Sequence, residues 1–93
     1  MKIEFGEQET NQAGTANRFT VEIDDTIIGV VMRHRYGEND RGDWRFGSNI
    51  KYRLVERDID VEGCEAMLRD CEDYEEATSM VRYLLSMYWD PDK

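Results

Sequence analysis

The chain has 93 residues and a formal net charge of −9, with 40% hydrophobic and 35% charged residues. This length suits one domain with one modest core, and the composition is that of a folded chain rather than a disordered one. No apolar stretch has the length of a signal peptide or a membrane span, so we expect a cytoplasmic protein with no membrane partner.

The negative charge is concentrated in the second half of the chain. Residues 54–93 hold twelve carboxylates and four cations, a net of −8, whereas residues 1–53 hold nine acids and eight bases, a net of −1. Charge that is segregated in sequence becomes segregated on a surface. We therefore expect one acidic surface and one that is closer to neutral or basic.

The first half of the chain alternates with the period of β-strands. Residues 2–5 can form a short edge strand, and residues 7–17 are expected to form a loop. Residues 18–23 alternate cleanly, Asp24 and Asp25 supply a turn, and residues 26–36 form the return strand of a hairpin. The same phase carries Ile28, Val30, Met32 and His34, which predicts that they face the core.

A second hairpin is predicted after a polar loop at 36–43. Trp44 and Phe46 face one way, residues 47–49 turn the chain, and Ile50, Tyr52 and Leu54 resume the alternation. The pattern predicts an antiparallel sheet of four to five strands over residues 1–56.

From Asp58 the apolar period changes to that of a helix, which begins with Asp58 or Asp60 as its cap. The period slips near residues 70–74, where Asp73 and Glu76 have the spacing of a capping box that opens a second helix. Pro91 follows the end of that helix. Residues 58–89 therefore form two helices, and the chain is expected to be a single α+β domain, 1–93, with both helices packed on one sheet face.

The end of the second helix is apolar nearly all round. From Met80 to Trp89, eight of ten residues are apolar, which is more than one buried stripe requires. Either the rest of the domain covers this surface, or a second copy or partner does. The candidate oligomer interface consists of Met80, Tyr83, Leu84, Met87 and Trp89.

The sequence carries no catalytic motif and no signature of a cofactor or metal site. Residues 58–63 resemble the opening of an EF-hand loop, but Arg69 stands where calcium needs a bidentate glutamate, so an acidic helix start is favoured. Cys64 and Cys71 lie seven residues apart on one helix, about 10 Å along its axis, which is too far for a disulfide and indicates reduced core thiols. His34 is expected at the core edge. We expect a protein that is not an enzyme.

Two charged surfaces remain as functional candidates. Five cations fall opposite in phase to the apolar strand residues and would form a basic outer sheet face, an alternative nucleic-acid-binding surface: Arg33, Arg35, Arg45, Lys51 and Arg53. The sheet aromatics share the buried phase, unlike those of sheet-based RNA binders, which stack bases on exposed rings, and the net charge opposes polyanion binding. The candidate partner-binding surface is acidic and surrounds the helix break: Glu62, Glu65, Asp70, Glu72, Asp73, Glu75 and Glu76.

Small size, acidity, the lack of a catalytic motif and a hairpin sheet backed by helices resemble the accessory proteins of bacteriophages and mobile elements, anti-CRISPR proteins among them. This resemblance implies an inhibitor or adaptor whose acidic helical surface mimics nucleic acid and occupies a basic site on a nucleic-acid-handling protein. The alternatives are a nucleic-acid-binding module that uses the basic sheet face and a homo-oligomeric interaction protein, such as a dimer. Solubility alone would also account for the acidic residues.

Overall fold

The computed structural model describes residues 1–37 and 39–93. Within these residues the chain forms five strands and three helices, which are numbered in chain order. The strands are β1 (Ile3–Phe5), β2 (Glu9–Thr10), β3 (Ala16–Ile23), β4 (Thr26–His34) and β5 (Asp43–Phe46). The helices are α1 (Ser48–Tyr52), α2 (Val61–Arg69) and α3 (Tyr74–Tyr88).

The strands form one antiparallel sheet in the order β1-β3-β4-β5, with β2 also paired to β3. The hairpin of β3 and β4 turns at Asp24 and Asp25, which both have positive φ, 50° and 68°. A two-residue turn with positive φ at both positions matches the twist of the flanking strands, and Asp tolerates this conformation. The predicted hairpin is confirmed, and β4 pairs in turn with β5 across the loop that follows it.

A bulge in β4 reverses the predicted direction of its side chains. Val21 pairs with Gly29 and Glu22 pairs with Ile27, so Ile28 is the extra residue. One inserted residue moves every later side chain to the opposite face of the sheet. Val31 and Arg33 are therefore buried, while Met32 and His34 are exposed, and the prediction that Met32 and His34 face the core is wrong.

The strand predicted over Ile50 to Leu54 is instead the short helix α1 with its following turn. Ile50 and Leu54 are both buried, but Tyr52 between them is 75% exposed. Ile50 packs over Gly29, where a Cβ atom would lie 2.7 Å from Ile50 Cγ1. The missing side chain at Gly29 thus leaves the space in which α1 rests on the sheet.

The helices lie on one face of the sheet, so the predicted α+β class is confirmed, although α1 was not foreseen. Asp60 caps α2 and Asp73 caps α3, as the helix-start signals predicted. Side chains from both layers form one buried cluster, in which Tyr74 meets Phe19 edge to face. In the described residues no helix is both long and apolar enough to cross a membrane.

Candidate protein-interaction surface

The junction between α2 and α3 is a tight turn that local hydrogen bonds hold. The carboxylate of Asp73 accepts from the backbone N–H of Glu76 at 2.8 Å, which fixes the first turn of α3. The carboxylate of Glu76 accepts in return from the N–H of Glu72 at 2.7 Å, one residue further back than in a standard capping box. Residues 70–73 therefore have a defined conformation between two capped helix ends.

Two arginines from the sheet side hold the same junction from beneath. Arg33 donates to the carbonyl oxygen of Glu72. Its guanidinium lies 4.5 Å from the ring centre of Trp44, and the residue is only 5% exposed. Burial, followed by the neighbouring Arg35 and Arg41, lowers the pKa of Arg33 from its usual value. Arg33 is thus part of the structural support of the junction and does not lie on an exposed basic face, contrary to the prediction.

Arg41 makes the second link from the loop before β5. Its Nη2 donates to the carbonyl oxygen of Arg69 at 3.4 Å, and its Nη1 lies 3.5 Å from a carboxylate oxygen of Glu72. Positive charge near the last carbonyls of a helix interacts favourably with the helix dipole. The backbone at the end of α2 is therefore attached to the sheet layer through two guanidinium groups.

An open groove of about 810 Å³ runs beside this junction, between the end of α2 and the first half of α3. Met67, Cys71, Met80 and Tyr83 provide its apolar surface. Ser79 and four acidic residues complete the lining: Asp70, Asp73, Glu75 and Glu76. An apolar floor with an acidic rim can bind a ligand that carries both apolar and cationic groups.

The rim carboxylates are not neutralised by the protein itself. In the part of the chain that the structure describes, none of the four forms an ion pair. The side chains of Asp73 and Glu76 each accept one backbone hydrogen bond, whereas those of Asp70 and Glu75 accept none from residues 1–37 and 39–93. The groove therefore carries four carboxylates that form no ion pair among the described residues, with Arg33 close enough to Asp73 for their charges to interact.

The structure brings together four of the seven acidic residues that the sequence predicted as partner-binding. Glu72 lies next to them and is paired with Arg41. Glu65 is turned away from the groove and pairs with Lys51 at 2.8 Å. Glu62 and Glu65 line a separate cavity together with Arg45 and Arg69. The acidic surface is consequently smaller than the predicted set.

The five predicted cations do not form one basic sheet face. Arg33 is buried, and Lys51 lies on α1, where it is paired with Glu65. Arg53 lies after α1, with its guanidinium 4.3 Å from the ring of Trp89 and a hydrogen bond to the carbonyl of Pro91. Arg35 is half-buried beyond the end of β4, and Arg45 is exposed on the outer face.

The five residues of the predicted oligomer interface also lie in different parts of the structure. Leu84 is fully buried in the core, so its assignment to an exposed interface is wrong. Trp89 is half-buried under Arg53. Met80 and Tyr83 line the groove, and Met87 continues the same stripe one turn later with 39% exposure. The apolar excess of α3 therefore belongs partly to the core and partly to the acidic groove.

The other residues singled out in the sequence have local structural roles. Asp58 accepts a hydrogen bond from the hydroxyl of Tyr88 at the end of α3, and Asp60 caps α2, so these two EF-hand-like acids have structural roles. Cys64 and Cys71 are free and buried, and burial raises the pKa of both thiols. His34 lies against Tyr36 at the surface. Among residues 1–37 and 39–93, no three acidic, His or Cys side chains are placed to hold a metal ion.

Comparisons with protein-family models, with curated proteins and with solved structures found no match to this chain. The geometry and charge of the groove are therefore the basis for assigning a function. Sequence reasoning had missed Met67 and Ser79 as groove residues. The surplus of apolar residues in α3 was the available signal, but it did not show which residues of α2 face them.

Proposed function

We propose that this protein is a non-enzymatic inhibitor or adaptor whose acidic helical surface binds a basic, nucleic-acid-binding site of a protein partner. The observation that carries the proposal is the groove between α2 and α3, where four carboxylates that form no ion pair among the described residues surround the half-exposed Tyr83 and the partly buried Met67 and Met80. We expect the partner to be a nucleic-acid-handling protein, the class of protein that anti-CRISPR inhibitors bind.

The charge of the rim favours this class of partner. Carboxylates on a fixed helix junction attract Lys and Arg side chains, steer a basic protein toward the groove, and repel phosphates. A site that binds nucleic acid presents such cations in a cluster, because its affinity depends on neutralising the phosphate backbone. Carboxylates that occupy these cations would compete with the nucleic acid for the same site.

Solubility accounts less well for the position of the acids. Acidic residues that serve only solubility have no reason to border apolar side chains, yet Met80 and the half-exposed Tyr83 line the same groove as Asp70 and Glu75. Apolar side chains beside complementary charge are typical of the central part of a protein interface.

Direct nucleic-acid binding is the weaker candidate. Of the five predicted cations, Arg33 is buried, Lys51 is neutralised by Glu65, and Arg53 is engaged with Trp89 and Pro91. A net charge of −9 adds general repulsion of a polyanion.

The test is a pair of charge-reversed proteins with equal net charge. One carries Asp70→Lys and Glu75→Lys, which leaves the helix cap at Asp73 intact. Its control carries Glu7→Lys and Glu56→Lys, two exposed acids outside the groove. Both are used to capture proteins from the native host, and each captured protein is then titrated with the purified variants.

We expect a nucleic-acid-binding protein that is retained by the wild type and by the control but lost with the groove variant. In a gel-shift assay, the wild type should displace nucleic acid from that partner, and the groove variant should not. Equal binding of the partner by both variants would refute the acidic groove as the binding site.

A further inference from the structure

The apolar side chains of the groove extend along α3 over a length that a short helix of another protein could contact. Met80, Tyr83 and Met87 recur along α3 at spacings of three and four residues, which places them on one side of the helix. Met87 follows Met80 by seven positions, about 10 Å at 1.5 Å per residue. Tyr83 is 50% exposed and Met87 is 39% exposed, so this stripe extends the groove floor over two helical turns.

The acidic rim selects among possible occupants of this stripe. Nucleic acid and anionic membrane surfaces are repelled by carboxylates. A second copy of the chain that docks groove to groove would bring one acidic rim against another, because a two-fold interface uses the same patch twice. A cationic segment of another protein is the occupant that both the charge and the apolar floor favour.

The backbone of the groove walls determines the conformation that such a segment needs. Along α2 and α3 the main-chain groups are bonded within the helices, and at the junction the carbonyl oxygens of Arg69 and Glu72 accept hydrogen bonds from Arg41 and Arg33. The described residues that line the groove therefore include no strand edge for an extended peptide. An extended peptide on an apolar floor would leave its own backbone groups without partners, which is costly. A helix satisfies its backbone internally and presents side chains at the spacing of Met80, Tyr83 and Met87.

We infer that the groove between α2 and α3 binds an amphipathic, basic α-helix of the partner. The apolar face of this helix lies on Met67, Met80, Tyr83 and Met87, and its flanking Lys and Arg side chains meet Asp70 and Glu75. The inference rests on the proposed function and specifies the element of the partner that the acidic surface recognises. It requires apolar contacts in addition to charge.

The experiment selects random displayed peptides of about 15 residues, long enough to form a helix on binding, against the immobilised wild-type protein. Selected peptides are synthesised, and their dissociation constants and circular dichroism are measured with four proteins. These are the wild type, the floor variant Met80→Ser with Tyr83→Ser, the rim variant Asp70→Lys with Glu75→Lys, and the control Met32→Ser. Met32 is 43% exposed and lies outside the groove, so the control removes an apolar side chain about as accessible as Tyr83.

We expect selected peptides with apolar residues at i, i+3 or i+4, and i+7, an excess of Lys and Arg, and increased helicity when bound. The floor and rim variants should each weaken binding by about tenfold or more, and the control should not. Basic peptides that lose affinity for the rim variant but bind the floor variant as tightly as the wild type would refute the inference that the groove binds an amphipathic helix. They would leave the proposed acidic binding surface intact. Peptides without positive charge that bind the rim variant normally would refute both.

Discussion

Asp73 provides the sharpest test of whether an acid at the α2–α3 junction is structural. Its carboxylate accepts the Glu76 N–H at 2.8 Å and caps α3. Asp73→Ala removes this bond and the favourable charge at the helix N-terminus. The cap contributes about 1 kcal/mol to stability and the charge about 0.3–1 kcal/mol, so we expect a loss of roughly 1.5 kcal/mol. For a domain of this length, that loss lowers Tm by roughly 6–12 °C.

Asp73→Asn separates the two contributions, because Asn keeps the capping oxygen and loses only the charge. Its stability should fall by no more than the charge contribution, and the removal of repulsion from nearby acids offsets part of that fall. Glu75→Gln is the matched control, since it removes a charge from the same turn without removing a cap. Urea unfolding followed by circular dichroism measures all three variants. A loss of stability in Asp73→Asn as large as that in Asp73→Ala would refute the assigned capping role.

Two further predictions concern the core. Gly29→Ala places a Cβ atom against buried Ile50 and should destabilise the protein by about 1–3 kcal/mol, whereas Gly37→Ala, which meets nothing within 4 Å, should be neutral or slightly stabilising. Equal stability of the two variants in urea unfolding would contradict the packing of α1 on the sheet. Burial and the hydrogen bond to Asp58 raise the pKa of Tyr88 from 10.0 to about 12. The neutral hydroxyl is favoured in the folded state, so its contribution to stability is complete below about pH 10 and is lost as the pH rises toward about 12. Absorbance titration should therefore show one of the five tyrosines ionising last, and Asp58→Ala should lower that pKa; a Tyr88 pKa unchanged in this variant would exclude the carboxylate as a cause.

The sequence predicted those features that depend on local chemistry. The turn at Asp24 and Asp25 and the cap at Asp73 were predicted correctly, and the cap of α2 is Asp60, one of the two residues predicted for it, because each feature depends on residues close to one another in the chain. The bulge at Ile28 was not predicted, although Gly29 was a signal, since glycine inside a strand often marks a bulge. This single insertion reversed the assignment of Arg33 from exposed to buried.

The strand predicted after β5 was wrong for a different reason. Ile50 and Leu54 are four residues apart, which fits one face of a helix as well as alternate positions of a strand. Tyr52 decided in favour of a strand, although its ring is exposed in the structure. The groove could be predicted only in part. The break in the helical spacing of apolar residues near Asp73 shows that the chain turns there, but it does not give the angle between α2 and α3.

The two guanidinium groups beneath the junction have a consequence for the kinetics of recognition. Arg33 and Arg41 hold the carbonyls of Glu72 and Arg69, so the backbone that carries the outward-facing acids is already ordered before any ligand arrives. A pre-organised surface loses little conformational entropy on association. A binding partner would therefore encounter charges carried on an ordered backbone, and its association rate would depend on diffusion and ionic strength rather than on a backbone rearrangement of this protein.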